Sequence, residues 1–226
     1  MPSQLRAMPA DSAKSIEDTA AKIARQVAGA AEKFGFLNQF SPIEAAMIST
    51  PFSKLEDQML VNATWRMEAF QAILWSLQLI GNLPPYDEQA GDDLFKILHL
   101  EQFEAFAASA KLRDSGELEK ARSFAELWHW RSRTRQLIEK GEPFPEMPQF
   151  KSYDEIVRFT AKATKEEGSL QEIIEEDFPA KAKAYRDLTD REWSEVESIT
   201  AERHFALNWV CGHAPHNRWD ETPTGT

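Results

Sequence analysis

The chain has 226 residues, of which 42 % are hydrophobic and 28 % are charged. This composition is typical of a globular protein that buries a sizeable core, and it excludes a largely disordered chain. The formal net charge of −11 argues against a protein that binds the nucleic-acid backbone, because such binding needs a positive field.

The negative charge is concentrated in the C-terminal third. Residues 141–226 hold 18 Asp and Glu against 10 Lys and Arg. Cys211 is the single cysteine, so an internal disulfide is excluded. No apolar run is long enough to cross a bilayer, and residues 1–10 lack the apolar segment of a secretory signal. We therefore expect a cytoplasmic protein that contacts neither membranes nor nucleic acid.

Apolar residues recur every three or four positions along most of the chain, which predicts amphipathic helices. Five segments begin with Ser or Thr followed three residues later by Glu, a pattern that caps helix N-termini; they begin at Ser41, Ser53, Ser152, Ser169 and Thr189. In chain order, the predicted helices cover residues 12–33, 42–50, 54–81, 92–98, 101–112, 116–140, 153–168, 170–178 and 190–212.

The pattern predicts an all-α fold, because no segment alternates apolar and polar residues as a half-buried strand does. We expect a flexible N-terminus at residues 1–11 and a single helical domain over residues 12–226. The domain is expected to be a bundle-like arrangement of many helices. Three prolines in residues 141–151 predict an irregular crossing between two of them.

Three arginines lie within the apolar stripes of their predicted helices, namely Arg66, Arg131 and Arg203. An arginine side chain keeps its proton, so each must pair with a carboxylate or reach water. One interpretation is that they join helices through ion pairs with carboxylates such as Glu68, Glu126 or Glu202. The other is that they converge on one cleft and bind a carboxylate, a phosphate or an acidic side chain of a partner.

His204 and Asn208 are four residues apart and share one face of the last long helix. They are either a base with an orienting amide or a hydrogen-bonded polar edge. With the three arginines, Glu68 and Glu202 they form the candidate polar or anion-binding site. Cys211, His213 and His216 match no closed zinc pattern even with Asp220 as a fourth ligand, so we expect no metal and no cofactor.

Eight short segments, in this order and spacing, resemble a bacterial family called domain of unknown function 4272. They are residues 65–69 (WRMEA), 74–77 (LWSL), 83–84 (LP), 127–131 (LWHWR), 177–179 (DFP), 185–188 (YRDL), 202–209 (ERHFALNW) and 219–224 (WDETPT). The resemblance covers roughly residues 35–226. The chain ends Thr224-Gly225-Thr226 where the family often ends Thr-Asp-Thr. The resemblance implies no activity, cofactor or catalytic residue.

Two hypotheses for function follow. The absence of a catalytic motif and the acidity favour a non-enzymatic binding protein with a macromolecular, basic partner, for example an immunity-type inhibitor. Its rim would be the acidic residues Glu172, Glu175, Glu176 and Asp177. The alternative is a protein that binds a small molecule or anion, or an enzyme, with a site formed by Arg66, Arg131 and Arg203.

Overall fold

The computed structural model describes residues 10–91, 94 and 103–226. These residues form seven α-helices and one short hairpin. The helices are α1 (Ala10–Lys33), α2 (Pro42–Ser49), α3 (Asp57–Ser76), α4 (Phe103–Ser109), α5 (Ser115–Glu139), α6 (Tyr153–Glu167) and α7 (Asp190–Val210). The hairpin pairs β1 (Pro179–Ala180) with β2 (Lys183–Ala184) in antiparallel register. The predicted all-α class is therefore confirmed.

The helix caps bear out part of the prediction. Ser41 and Thr189 form reciprocal capping boxes at α2 and α7, and the side chain of Ser152 accepts the Glu155 amide at α6. Gly168 follows α6 with φ of 86°, a left-handed conformation that glycine adopts without a steric penalty. These caps fix where three of the helices begin and where one ends.

Three predicted helices differ from the structure. Ser53 lies in a 3-10 turn, so α3 begins at Asp57 without a side-chain cap. The same helix ends at Ser76 rather than at Gly81. Residues 170–178 contain a tight bridge between Ile174 and Asp177 instead of a helix. The buried Arg131 guanidinium binds the Asp177 carboxylate and holds it in the core. Helix α4 ends at Ser109 rather than at Leu112.

Two predicted segments lie largely outside the described residues. They are the helix over residues 92–98, of which Leu94 alone is described, and the flexible N-terminus at residues 1–11. The last two residues of that N-terminus, Ala10 and Asp11, begin α1.

Helix α7 is the central element of the body. It packs along α3 on one side and along α5 on the other. Its buried residues include both apolar and polar side chains, among them Val196, Ile199, Arg203 and His204. Buried polar groups are normally hydrogen-bonded, so the buried polar side chains of α7 must find specific partners on the elements around it.

The main apolar core surrounds Trp128 of α5. Its indole stacks on Tyr86 at 5.4 Å and meets Phe178 edge-on at 5.3 Å. Apolar side chains from α3, α5, α6 and α7 complete this core. Such aromatic pairs add to the free energy of burying apolar surface.

Helices α1 and α2 form a layer beside the body. Helix α1 contacts α2 and the two 3-10 turns at Leu37–Gln39 and Phe52–Lys54. The Glu17 carboxylate accepts a hydrogen bond from the Ser53 amide at 2.9 Å. Within the described residues, none of the helices is both long and apolar enough to cross a membrane.

Candidate functional site

Arg203 is fully buried, with 0 % of its side chain exposed. Its Nε and Nη2 both donate to one oxygen of Glu68, at 3.0 and 2.9 Å. Its remaining donors reach carbonyl oxygens of the loop after α3, those of Pro84, Pro85 and Glu88, at 2.7 to 3.0 Å. Arg203 therefore joins α7, α3 and this loop, and its charge is matched inside the protein.

The loop after α3 is also held from the carboxylate side. The other oxygen of Glu68 accepts the amide of Ala90 at 2.7 Å. Tyr86 lies in the same loop, its ring 5.3 Å from the Arg203 guanidinium, and burial raises the pKa of its hydroxyl despite that cation. Arg203 and Glu68 are thus a structural ion pair that places Tyr86 against Trp128.

Arg131 is sealed in a separate ion pair. Its Nε and Nη2 donate to the two oxygens of Asp177, both at 2.7 Å, and its guanidinium lies over the Tyr185 ring. Asp177 also accepts the amides of Phe178 and Arg186. Burial alone would raise the pKa of this carboxyl, but Arg131 and the two amides hold it below its ordinary value. Arg131 thus anchors the 177–187 segment to α5.

Arg66 differs from the other two arginines because it reaches a cavity. Its Nη1 donates to Glu202 at 2.8 Å, yet 37 % of its side chain is exposed. The guanidinium lies 4.2 Å from the Phe205 ring centroid and 5.6 Å from that of Trp219. Two aromatic faces and one carboxylate therefore hold the guanidinium in position while part of it stays accessible.

The cavity beside Arg66 has a volume of about 530 Å³ and lies between α2, α3 and the C-terminal segment. Its apolar wall consists of Ile43, Met47, Met59, Ala63, Ala69, Phe70, Ile73 and Trp219. The polar lining comprises Glu44, Glu56, Gln58, Asn62, Arg66 and Asp220. A few polar groups in a mainly apolar wall are typical of small-molecule sites.

The wall that α3 contributes is the apolar stripe predicted to face the core. Met59, Ala63, Phe70 and Ile73 are only half-buried, whereas Glu68, Ala72 and Trp75 on another face of α3 are buried. Periodicity alone does not distinguish a face that packs on another helix from a face that lines a cavity. The structure assigns this stripe, with Arg66 inside it, to the cavity.

The C-terminal segment closes one side of the cavity. Trp219 meets Phe205 edge-on at 4.6 Å and Trp209 at 5.3 Å. Asp220 accepts the amide of Ile43 at 3.2 Å, so it caps the N-terminus of α2 from a distant part of the chain. The 219–222 segment therefore links α7 to α2 across the cavity.

His204 and Asn208 belong to a hydrogen-bonded chain between α5, α7 and the C-terminal segment. Asn208 Nδ2 donates to the Pro223 carbonyl at 2.8 Å and lies 2.8 Å from His204 Nε2. His204 Nδ1 lies 3.0 Å from His129 Nδ1. The side-chain oxygen of Asn208 faces Arg122 at 3.4 Å.

These partners fix the tautomer of His204. A carbonyl only accepts and a guanidinium only donates, so Asn208 Nδ2 must be the donor to His204 Nε2. His204 therefore carries its proton on Nδ1 and donates it to His129. Burial and, to a lesser extent, the neighbouring His129 lower the pKa of His204 to about 4. Burial followed by the charge of Arg133 lowers the pKa of His129 as well.

The candidate residues thus fall into four groups rather than one. They are Arg203 with Glu68, Arg66 with Glu202, Arg131 with Asp177, and His204 with Asn208. Glu126 pairs with Arg122 and with none of the three arginines. Of the three arginines, Arg66 is the one that lines the cavity described above.

The described residues contain no group of three His, Cys, Asp or Glu side chains arranged to bind a metal ion. Burial raises the pKa of the Cys211 thiol, and the nearby Glu119 carboxylate raises it too, which disfavours the reactive thiolate. His213 faces Glu119 at 3.8 Å, and His216 is exposed.

Sequence reasoning missed three residues that the structure brings into these groups. Asp177 was predicted to be a solvated rim residue, but it is buried because Arg131 and two backbone amides bind its carboxylate. His129 and Asp220 act through partners more than 70 residues away in the chain. Helical spacing reports on neighbours within a few turns only, so it carries no signal for such partners.

A family model described as Domain of unknown function (DUF4272) matches residues 7–222. The chain belongs to this family. The DUF4272 match begins well before residue 35, where the sequence resemblance was placed, so α1 and α2 are part of the family's domain along with the Arg66 cavity. No curated protein and no solved structure matches the chain.

Proposed function

We propose that this protein is a non-catalytic binding protein that takes a small molecule with an apolar body into the Arg66 cavity. The observation that carries the proposal is the accessible guanidinium of Arg66 within an otherwise largely apolar wall. Arg131 and Arg203, which the sequence could not distinguish from Arg66, are sealed in internal ion pairs.

The dimensions of the cavity support a small ligand. Its volume of about 530 Å³ lies within the range of roughly 300–1,000 Å³ that is usual for ligand sites. Met47 of α2 and Met59 of α3 are flexible side chains that adapt to the shape of a bound molecule. Trp219 adds a rigid aromatic face beside Arg66.

A cavity-filling variant tests this proposal. Ala63 lines the cavity from α3, so Ala63→Trp should fill it, whereas Ala163→Trp on the exposed face of α6 is the matched control. The probe is N-phenyl-1-naphthylamine, a neutral apolar fluorophore. We expect the wild type and the control to bind it at one site and Ala63→Trp to lose at least tenfold in affinity. No binding by the wild type, or equal binding by a folded Ala63→Trp, would contradict the proposal.

The macromolecular hypothesis is the second candidate, and exposed apolar side chains favour it. Met147 and Phe159 are 44 % and 59 % exposed, and Phe159 contacts Phe150 at 5.2 Å. The acidic rim that this hypothesis predicts is smaller in the structure, since Asp177 is buried and Glu176 pairs with Lys162 and Arg158. A basic partner that associates through this rim should show an on-rate that falls as salt rises.

A further inference from the structure

We propose that the ligand of the Arg66 cavity carries a carboxylate, which binds the edge of the guanidinium that Glu202 leaves free. This inference rests on the proposed function and names the chemistry of its ligand. Glu202 bonds Nη1, and among the described residues Nε and Nη2 of Arg66 donate to no protein atom. That edge presents two parallel N–H groups, the geometry that binds a carboxylate through two hydrogen bonds.

The aromatic contacts of Arg66 orient this edge. The guanidinium lies over the Phe205 ring, and the Trp219 ring, packed edge-on against Phe205, lies beside it on the same side, so the side chain is held before any ligand arrives. A preoriented fork loses less conformational entropy on binding than a free one does. Among the described side chains that line the cavity, Arg66 is also the one cation.

The acidic groups of the lining do not cancel this preference, because each lies at the beginning of a helix. Glu44 accepts the Ser41 amide and Asp220 accepts the Ile43 amide, both at the N-terminus of α2. Glu56 is the N-cap residue of α3. The partial positive charge of a helix N-terminus offsets a carboxylate placed there, so Arg66 stays the attractive point for an anion.

Glu202 should make binding depend on pH. Its carboxyl faces Arg66 and Glu68 on α3 and Glu197 on its own helix. Burial and the two carboxylates together raise its pKa more than Arg66 lowers it. A second carboxylate on Arg66 adds a negative charge beside Glu202, so ligand binding should be accompanied by uptake of a proton at Glu202. Binding of an anion whose own charge is constant should therefore strengthen as pH falls toward the raised pKa of Glu202.

Displacement of N-phenyl-1-naphthylamine tests the ligand class. Decanoate, decanol and decylamine share one apolar chain and differ in the head group. We expect decanoate to displace the probe from the wild type at about tenfold lower concentration than decanol or decylamine, because two charge-assisted hydrogen bonds are gained. Arg66→Met should abolish that advantage while the probe still binds, and Arg66→Lys should keep only part of it.

The variant Glu202→Gln provides an independent test of the ligand class if Arg66→Met does not fold. It keeps the hydrogen-bonding shape but removes the charge, so decanesulfonate should bind it more tightly than the wild type and with little dependence on pH. If decanoate displaces the probe no better than decanol does, or if its advantage persists in Arg66→Met, the ligand class is wrong although the cavity still binds. Loss of probe binding in the wild type would instead count against the proposed function itself.

Discussion

Arg203 and Glu68 form a closed ion pair in which two guanidinium nitrogens share one carboxylate oxygen, at 3.0 and 2.9 Å, while the other oxygen accepts the amide of Ala90. Neither side chain is accessible to solvent to any useful extent. This pair explains why an arginine occupies an apolar stripe of α7: it supplies donors for a loop whose carbonyl groups have turned inward.

Arg203→Met should therefore be strongly destabilising. The substitution keeps the apolar stem but leaves Glu68 and three loop carbonyls without their donor. We expect a loss of about 3–5 kcal/mol in the free energy of unfolding, measured by urea titration, which is typical when one partner of a buried pair is removed. Arg191→Met, on the exposed face of the same helix, is the control and should change it by less than about 0.5 kcal/mol. Similar losses in both variants would show that Arg203 has no special structural role.

Asp177→Asn tests the second sealed pair. The amide keeps the shape of the carboxylate but cannot accept two charge-assisted bonds from Arg131, which is left buried and unmatched. The folded-state pKa of Asp177 is depressed, so its contribution to stability is present above the unfolded value of about 3.9 and is lost as pH falls below it. We expect lower stability at pH 7 and a shallower acid transition below pH 4, both followed by circular dichroism. Unchanged stability at pH 7 would contradict the role assigned to this pair.

The histidine chain should make the fold sensitive to mild acid. The folded-state pKa of His204 is about 4, below the unfolded value of about 6.5, so the unfolded chain takes up the proton first and stability falls across this interval. Besides burial, His129, Arg122 and His213 disfavour the charged form of His204, and Glu126 favours it. Arg133 disfavours the charged form of His129. Between pH 6.5 and 4 the free energy of unfolding should therefore fall by about 2–3 kcal/mol less in His204→Gln than in the wild type.

The control for that prediction is His216→Gln, because His216 is an exposed histidine outside the hydrogen-bonded chain of His204 and Asn208. Its stability should follow the wild-type curve between pH 6.5 and 4. If His204→Gln also follows that curve, the protonation of His204 does not differ between the folded and unfolded states.

Asp220→Ala tests the link between the C-terminal segment and α2. The substitution removes the acceptor for the Ile43 amide, and loss of a helix cap costs about 1 kcal/mol. Because Asp220 also lines the cavity, affinity for N-phenyl-1-naphthylamine should fall as well. Glu221→Ala is the control, since Glu221 pairs with Arg218 and does not line this cavity. An equal effect of both variants on probe binding would exclude a closing role for the Ile43–Asp220 bond.

Much of the fold could be predicted because the information is local. Ser41 and Thr189 cap helices through residues three positions away, and Gly168 ends one through its own conformation. The helix that the capping pattern at Ser169 predicts is absent for a non-local reason. Its segment carries the same local pattern, but the Arg131–Asp177 pair and the bridge at Ile174 hold it out of a helix.

The candidate site was less predictable. Spacing singles out Arg66, Arg131 and Arg203, since each lies in an apolar stripe. Which of them is sealed depends on partners that folding brings together, such as Asp177 for Arg131. The sequence pattern of α3 likewise does not tell whether its apolar stripe meets another helix or a cavity.

The central claim is that Arg66 binds a ligand whereas Arg131 and Arg203 stabilise the fold. Thermal melts of three variants with and without decanoate test it most directly. Arg131→Met and Arg203→Met should melt well below the wild type, by about 10 °C. Arg66→Met should melt within about 3 °C of the wild type, because its ion pair is partly exposed. Decanoate near 100 times its wild-type dissociation constant should raise the wild-type midpoint by roughly 5–10 °C and that of Arg66→Met by only about half as much, because the variant binds it about tenfold more weakly. Equal destabilisation of all three variants, with no effect of decanoate on the wild type, would contradict the account.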